Sequence, residues 1–260
     1  MNFLISYQRN KLIKKEDIMN KLTGKTVLIT GGGSGIGKGI AQSFASEGAH
    51  LILIGRRKTI LETTKKELSN PNSIDILQAD VTVESEVNSV FKYIENNLGK
   101  LDILINNAGV VEGGPLDTMD IATWDKVMAI NVRGPFLCTR AALRMMKPKR
   151  NGRIINIGSL AGSRVRPNTG PYSASKHAIW GLTQVTALEG QNFGISCSCI
   201  NPGKVMVERR IHARREMDKE PMMRVKEIAE VALTMALMPP EINLLESTIL
   251  PINQEYIGRG

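Results

Sequence analysis

Aromatic residues are scarce in this chain, at 4% of 260 residues. That is poor material for stacking nucleobases, and no recognised nucleic-acid module accompanies the net charge of +9. The expected meaning of that charge is a solvated basic surface, with no nucleic-acid partner. Cysteine is rarer still, at three residues. Cys138, Cys197 and Cys199 lack metal-ligand spacing, so no metal is expected, and the low, odd count suits a reducing cytoplasm. Cys197 and Cys199 point to one face of a strand and are expected in the core. No apolar run approaches the ~18–20 residues of a membrane span, so no membrane association is expected. Residues 1–18 lack an apolar h-region and a small-residue cleavage site, which argues against a secretory signal. Residues 1–21 are expected to form a mobile basic extension, with Met19 as an alternative start.

What is present is one large α/β domain, expected over residues 22–260, with 42% hydrophobic residues to fill its core. Short apolar runs at 27–30, 51–54, 74–78, 103–105, 154–157 and 195–200 read as buried strands, with a last strand near 245–250. Helical patterns fall between them near 36–47, 58–69, 84–98, 120–146 and 172–192, with a last helix at 225–237. Repeated βα units predict a doubly wound parallel sheet of about seven strands with helices on both faces. In such a Rossmann-type fold ligands bind beyond the carboxyl ends of the strands.

Two features sit at such strand ends. Thr30-Gly31-Gly32-Gly33-Ser34-Gly35-Ile36-Gly37 follows the apolar run Val27-Leu28-Ile29 and opens a helical pattern. Strand, glycine turn and helix form a phosphate cradle: glycine permits positive φ and close approach, and the helix N-terminus attracts an anion. Gly31, Ser34, Gly35, Ile36 and Gly37 are its candidate residues, spaced Gly-x3-Gly-x-Gly rather than G-x-G-x-x-G. After the second strand comes Gly55-Arg56-Arg57-Lys58, where a binder of plain NAD wants a carboxylate for the ribose diol. Arg56 and Arg57 suit a 2′-phosphate instead, through charge-assisted, fork-shaped contacts.

Tyr172 and Lys176, four residues apart, lie on one helix face. An ammonium beside a phenol favours the phenolate and lowers its pKa from ~10, giving a general acid/base suited to an alcohol or carbonyl oxygen. Taken alone, a pair at this spacing is more often a solvated helix face.

Six motifs occur together and in order: the Thr30–Gly37 turn, Asp80-Val81, Asn106-Asn107-Ala108-Gly109, Asn131, Ser159 with Tyr172 and Lys176, and Pro202-Gly203. From about Leu22 onward the chain resembles a classical short-chain dehydrogenase/reductase, including the thirteen-residue step from Ser159 to Tyr172. The resemblance implies NADP(H) as cofactor and a small carbonyl or alcohol as substrate. It assigns Tyr172 as proton donor and acceptor, and Lys176 to the phenol and the nicotinamide ribose. Ser159 would hold the substrate oxygen, and Asn131 a water in a proton relay. It places Asp80 and Val81 at the adenine, Asn107, Ala108 and Gly109 against the cofactor, and Pro202, Gly203 and Val205 beside the nicotinamide. The chain departs from the pattern at Val207, where many members carry threonine, and at Ile249-Leu250-Pro251-Ile252, which replaces an Asp-Gly-Gly ending. Members of the family pair the helices at 120–146 and 172–192 across a twofold axis, so a homotetramer is expected, with a homodimer next. Met128, Phe136, Leu143, Trp180 and Leu188 make these helices apolar over much of their circumference. A sensor or scaffold that binds NADP without turnover is the alternative from another class. A sugar-nucleotide epimerase of the extended relatives fits less well, lacking room for a substrate domain.

Residues 204–224 carry seven bases (Lys204, Arg209, Arg210, Arg214, Arg215, Lys219, Arg224) against four acids. By position 204–221 matches the family's mobile substrate loop. Two readings stand there: an exposed basic helix, or arginines such as Arg210 and Arg214 facing an anionic substrate. Glu112, in another substrate-side loop, argues against a uniformly positive mouth.

Overall fold

The computed structural model describes residues 20–70, 73–208, 210 and 221–254. The chain runs β1 (Thr26–Thr30), α1 (Gly35–Ser46), β2 (His50–Gly55), α2 (Lys58–Glu67), β3 (Ile74–Gln78), α3 (Glu84–Leu98) and β4 (Ile103–Asn106). It continues through α4 (Ile121–Met128), α5 (Gly134–Lys149), β5 (Gly152–Ile157), α6 (Gly170–Gly190) and β6 (Ile195–Pro202). Two short strands, β7 (Val205–Met206) and β8 (Met223–Arg224), precede α7 (Val225–Ala236) and β9 (Glu246–Ile249). Seven strands pair in the order β3-β2-β1-β4-β5-β6-β9, every pair parallel. The expected doubly wound sheet is therefore present. From β1 the chain winds outward through β2 and β3, then returns to β4 on the other side. The reversal between β1 and β4 is the topological switch point, where a crevice opens at the carboxyl edge.

The central strands β1, β2 and β4 are mostly apolar because both faces are covered. Alternate residues feed two cores: Val27, Ile29, Leu51, Leu53, Ile103 and Ile105 on one side, Leu28, Ile52, Ile54, Leu104 and Ile154 on the other. On the first face α1 buries Ile40, Ala41, Phe44 and Ala45, and Gly39 admits Val225 of α7 so closely that a Cβ would sit 2.9 Å from it. Fully burying a side chain such as Phe44 stabilises the fold by about 1.5–3 kcal/mol. Against the sheet α6 turns a face of small and polar residues, including Ser173, Ser175, Thr183 and Gly190. That lets its backbone lie close to β6 and carries Tyr172 and Lys176 to the crevice. All three cysteines are free and buried; for Cys197 and Cys199 the core position is the expected one.

The sequence expectation of one helix over 120–146 needs correction. A π-helical turn, Ala129–Arg133, separates α4 from α5. The cause lies in two local features. Pro135 has no N–H to return to the Asn131 carbonyl four residues earlier, so the α-helical ladder fails there. The Asn131 side chain also bonds to Val110 outside the helix, accepting from its N–H at 2.8 Å and donating to its carbonyl at 2.9 Å. The β7–β8 pair was likewise not foreseen, since two-residue strands leave no periodicity. Among the described residues, no helix is long and apolar enough to cross a membrane.

Candidate active site

Most candidate site residues lie at or just beyond the carboxyl end of a strand or in the helix that follows; Asn131 sits in the π turn and Val205 in β7. The glycine turn leaves β1 with Gly31 at φ +65° and Gly35 at φ +53°, a region that favours glycine. At Gly37 the limit is space: a Cβ there would fall 2.4 Å from both the Gly31 carbonyl oxygen and Asn107 Nδ2. Ser34 precedes α1 but its side chain makes no capping bond, and Ile36 packs partly into the first core.

The turn is cross-braced to the loop after β4. Asn107 Nδ2 donates to the carbonyls of Thr30 (2.9 Å) and Gly31 (3.1 Å). In return the Thr30 hydroxyl oxygen accepts from the amides of Asn107 and Ala108, both at 2.9 Å. Thr30 was quoted in the motif without a role; its signal was a hydroxyl ending an otherwise apolar strand. Gly109 passes so close to Asn131 that a Cβ would meet Oδ1 at 3.4 Å. This is a cradle with bare backbone at its centre, as a dinucleotide's phosphates and ring require.

Arg56 and Arg57 stand exposed directly after β2, beside the crevice, with the Arg56 carbonyl accepting from Gln78. Asp80 follows β3 and serves as a turn cap: its Oδ1 accepts from the amide and hydroxyl of Thr82. Val81 is buried against Gly134, where a Cβ would come within 2.7 Å.

On the substrate side, Ser159 begins a 3-10 turn after β5, and its Oγ accepts from the Ala161 amide at 3.1 Å. The hydroxyl hydrogen stays available to donate elsewhere. Asn201, unassigned from sequence, holds the Ser159 amide through Oδ1 at 3.1 Å and is itself bonded to Glu246 at 2.7 Å. Lys176 is only 8% exposed, and its ammonium donates to the Ile157 carbonyl at 2.7 Å, which fixes it above the end of β5. Its Nζ lies 5.7 Å from the centroid of the Tyr172 ring. Asn131 is 2% exposed and adds a bond to Ser175 Oγ at 3.1 Å, tying the π turn to α6. Cys199 lies near this group, but burial pushes its thiol up to about 11, so it stays protonated and is no nucleophile.

Pro202 and Gly203 end β6, and Val205 is buried in β7. Gly203 donates to the Ile249 carbonyl at 2.7 Å, and the Lys204 amide to Gln254 Oε1 at 2.8 Å. Val207, where the family often has threonine, packs against Gly35. Of the basic loop, Arg209, His212, Arg214 and Arg215 lie outside the described residues, as does most of the N-terminal extension. Arg210 is partly buried and reaches Met222. Glu112 pairs with Lys126 at 2.6 Å, which neutralises that loop locally.

Comparison with known proteins agrees with this geometry. A family model described as short chain dehydrogenase matches residues 25–218. An uncharacterized oxidoreductase of Staphylococcus aureus (strain USA300) is 33% identical over 234 residues, covering 90% of this chain and all of that protein. A D-beta-hydroxybutyrate dehydrogenase of Cupriavidus necator is 36% identical over 211 residues, 79% of this chain and 81% of that one. Among solved structures, a 3-ketoacyl-(acyl-carrier-protein) reductase from Brucella melitensis complexed with NADH superposes with a TM-score of 0.81. It is 27% identical, covering 88% of this chain and 97% of that one. ElxO with NADP bound superposes at 0.80 with 28% identity, over 87% of this chain and 97% of that one.

Proposed function

This chain belongs to the short chain dehydrogenase family, and we propose that it interconverts a carbonyl and a secondary alcohol with NADP(H). The observation that carries the reading is the fixed Lys176 ammonium beside the Tyr172 ring, at the carboxyl edge of the sheet and next to Ser159. When bound, the nicotinamide supplies or accepts the hydride. Tyr172 gives its phenolic proton to the substrate oxygen in reduction and takes it back in oxidation. Lys176 stabilises the phenolate and reaches the ribose. Ser159 donates its hydroxyl hydrogen to the same substrate oxygen. Asn131 holds the relay water through its main-chain carbonyl, which Pro135 leaves without an α-helical donor.

The cradle fits a dinucleotide on its own evidence. Its glycines let the turn close on Asn107 and Ala108, where a Cβ at Gly31 or Gly37 would clash, and a carboxylate already accepts from the Gly35 amide. Gly31, Ser34, Gly35, Ile36 and Gly37 would hold the pyrophosphate, Asp80 and Val81 the adenine, and Asn107, Ala108 and Gly109 the ring system. Pro202, Gly203 and Val205 would line the nicotinamide. Preference for NADP(H) rests on Arg56 and Arg57, exposed after a strand whose end offers no carboxylate. Three free thiols support a reducing, cytoplasmic setting. Phe136 on α5 and Leu188 on α6, 45% and 65% exposed, support assembly through these helices into a homotetramer. A concentration-independent monomer in sedimentation would refute that.

The test is NADPH oxidation over a carbonyl panel. It begins with 3-oxo acids and their thioesters, because the names of two similar proteins point there. Wild type should prefer NADPH to NADH by about tenfold or more, as an arginine–phosphate pair is worth about 1.5–3 kcal/mol. Tyr172→Phe should lower kcat by about 10²–10⁴-fold and leave NADPH binding intact. Near-normal turnover in that variant overturns the mechanism, and a preference for NADH overturns the cofactor choice.

A further inference from the structure

The amide of Gly35, the first residue of α1, donates to Glu208 Oε2 at 3.0 Å. The acceptor comes from 173 positions away. Nothing local competes for this amide: α1 has no acidic residue in its first turn, and Ser34 does not cap. The carboxylate is delivered by an anchored segment. Val205–Met206 pairs with Met223–Arg224, the Lys204 amide is held by Gln254, and Val207 packs on Gly35. An anion therefore sits at the positive end of α1, in the cradle assigned above to the cofactor's pyrophosphate.

We propose that Glu208 is a built-in competitor for that cradle, an acid that must be displaced from the Gly35 amide before a dinucleotide seats its phosphates. This rests on the dinucleotide reading of the site. One N–H cannot serve both anions, and a carboxylate left nearby would repel the phosphates. Glu208 therefore lowers affinity for the dinucleotide's pyrophosphate, whichever ribose it carries. The residue makes no contribution to distinguishing NADPH from NADH, which lies with Arg56 and Arg57.

Titration of NADPH, NADH and adenosine 2′-phosphate into wild type and Glu208→Gln, followed by fluorescence or calorimetry, tests this. Glutamine keeps the length and an acceptor but removes the charge. Both dinucleotides should bind the variant about three- to tenfold more tightly, by the same factor, as expected for removing a charge from a helix N-terminus. Adenosine 2′-phosphate, which lacks the pyrophosphate, should bind both proteins alike. Unchanged or weaker dinucleotide binding, or an equal gain for adenosine 2′-phosphate, overturns the proposal while leaving the dinucleotide reading in place. A wild type that binds neither dinucleotide overturns that reading, and this proposal with it.

Discussion

The glycine turn after β1 and the Pro-Gly segment after β6 meet at Gly35, where Val207 and Glu208 touch it, yet they are held by different means. The turn is braced from within the sheet. Four hydrogen bonds run between Thr30–Gly31 and Asn107–Ala108, and Gly37 leaves no room for movement. The Pro-Gly segment hangs instead from later elements, by bonds from Gly203 to Ile249 and from Lys204 to Gln254 and by the β7–β8 pairing. Local openings of a fold are drawn from regions with few such ties. Under the proposed dinucleotide reading, a phosphate cradle serves best when preformed, and a flank beside the substrate serves best when it can yield. The two constructions match those two needs.

The comparison is tested most severely at Thr30. Thr30→Val keeps the β-branched shape but removes the acceptor of two amides, those of Asn107 and Ala108. Each unsatisfied buried donor costs about 1–3 kcal/mol; both amides are only partly buried, so the loss should fall in the lower part of the range for two donors, at about 2–4 kcal/mol. For a chain of this length that lowers Tm by about 4–16 °C, with weaker dinucleotide binding alongside. A Tm within about 2 °C of wild type, a shift smaller than any predicted here, would show that the bracing is incidental.

How much of this was legible in the sequence follows the same division. The strands, the glycine turn and the motif residues could be read because each is specified by neighbours: apolar runs, positive-φ glycines, a four-residue helical step. The parallel sheet with helices on both faces, and ligand binding beyond its carboxyl edge, followed from the alternation of those elements; the strand order did not. The π turn escaped because α4 and α5 share one continuous apolar pattern, and the break depends on Val110 and Pro135 acting together. Asn201, Glu208 and Gln254 escaped for a stronger reason. Each acts on a residue dozens to more than a hundred positions away, and no spacing rule connects Glu208 to Gly35 or Gln254 to Lys204. At Asp80 the structure displays a turn cap on Thr82, and a cofactor contact there would be an additional role.

The smaller effect is expected at Gln254. Its side chain is buried, and Oε1 accepts the Lys204 amide while crowding Gly203, where a Cβ would come within 2.4 Å. Gln254→Ala takes the acceptor from one buried amide, which costs about 1–3 kcal/mol, and global stability should fall by no more than that. The consequence should be local, because the Gly203–Ile249 bond and the β7–β8 pairing remain. Amide exchange at Lys204 should accelerate by about 5- to 150-fold, the same free energy expressed as a rate. The amides of Asn107 and Ala108 should exchange as in wild type, since their partner is Thr30. Faster exchange at Asn107 and Ala108 by the same factor would mean that both segments open as one unit, and the distinction between a braced cradle and a hung flank would fail. Acceleration confined to the segment after β6 would identify its attachment to the end of the chain as the tie that sets how readily Val207 and Glu208 leave Gly35.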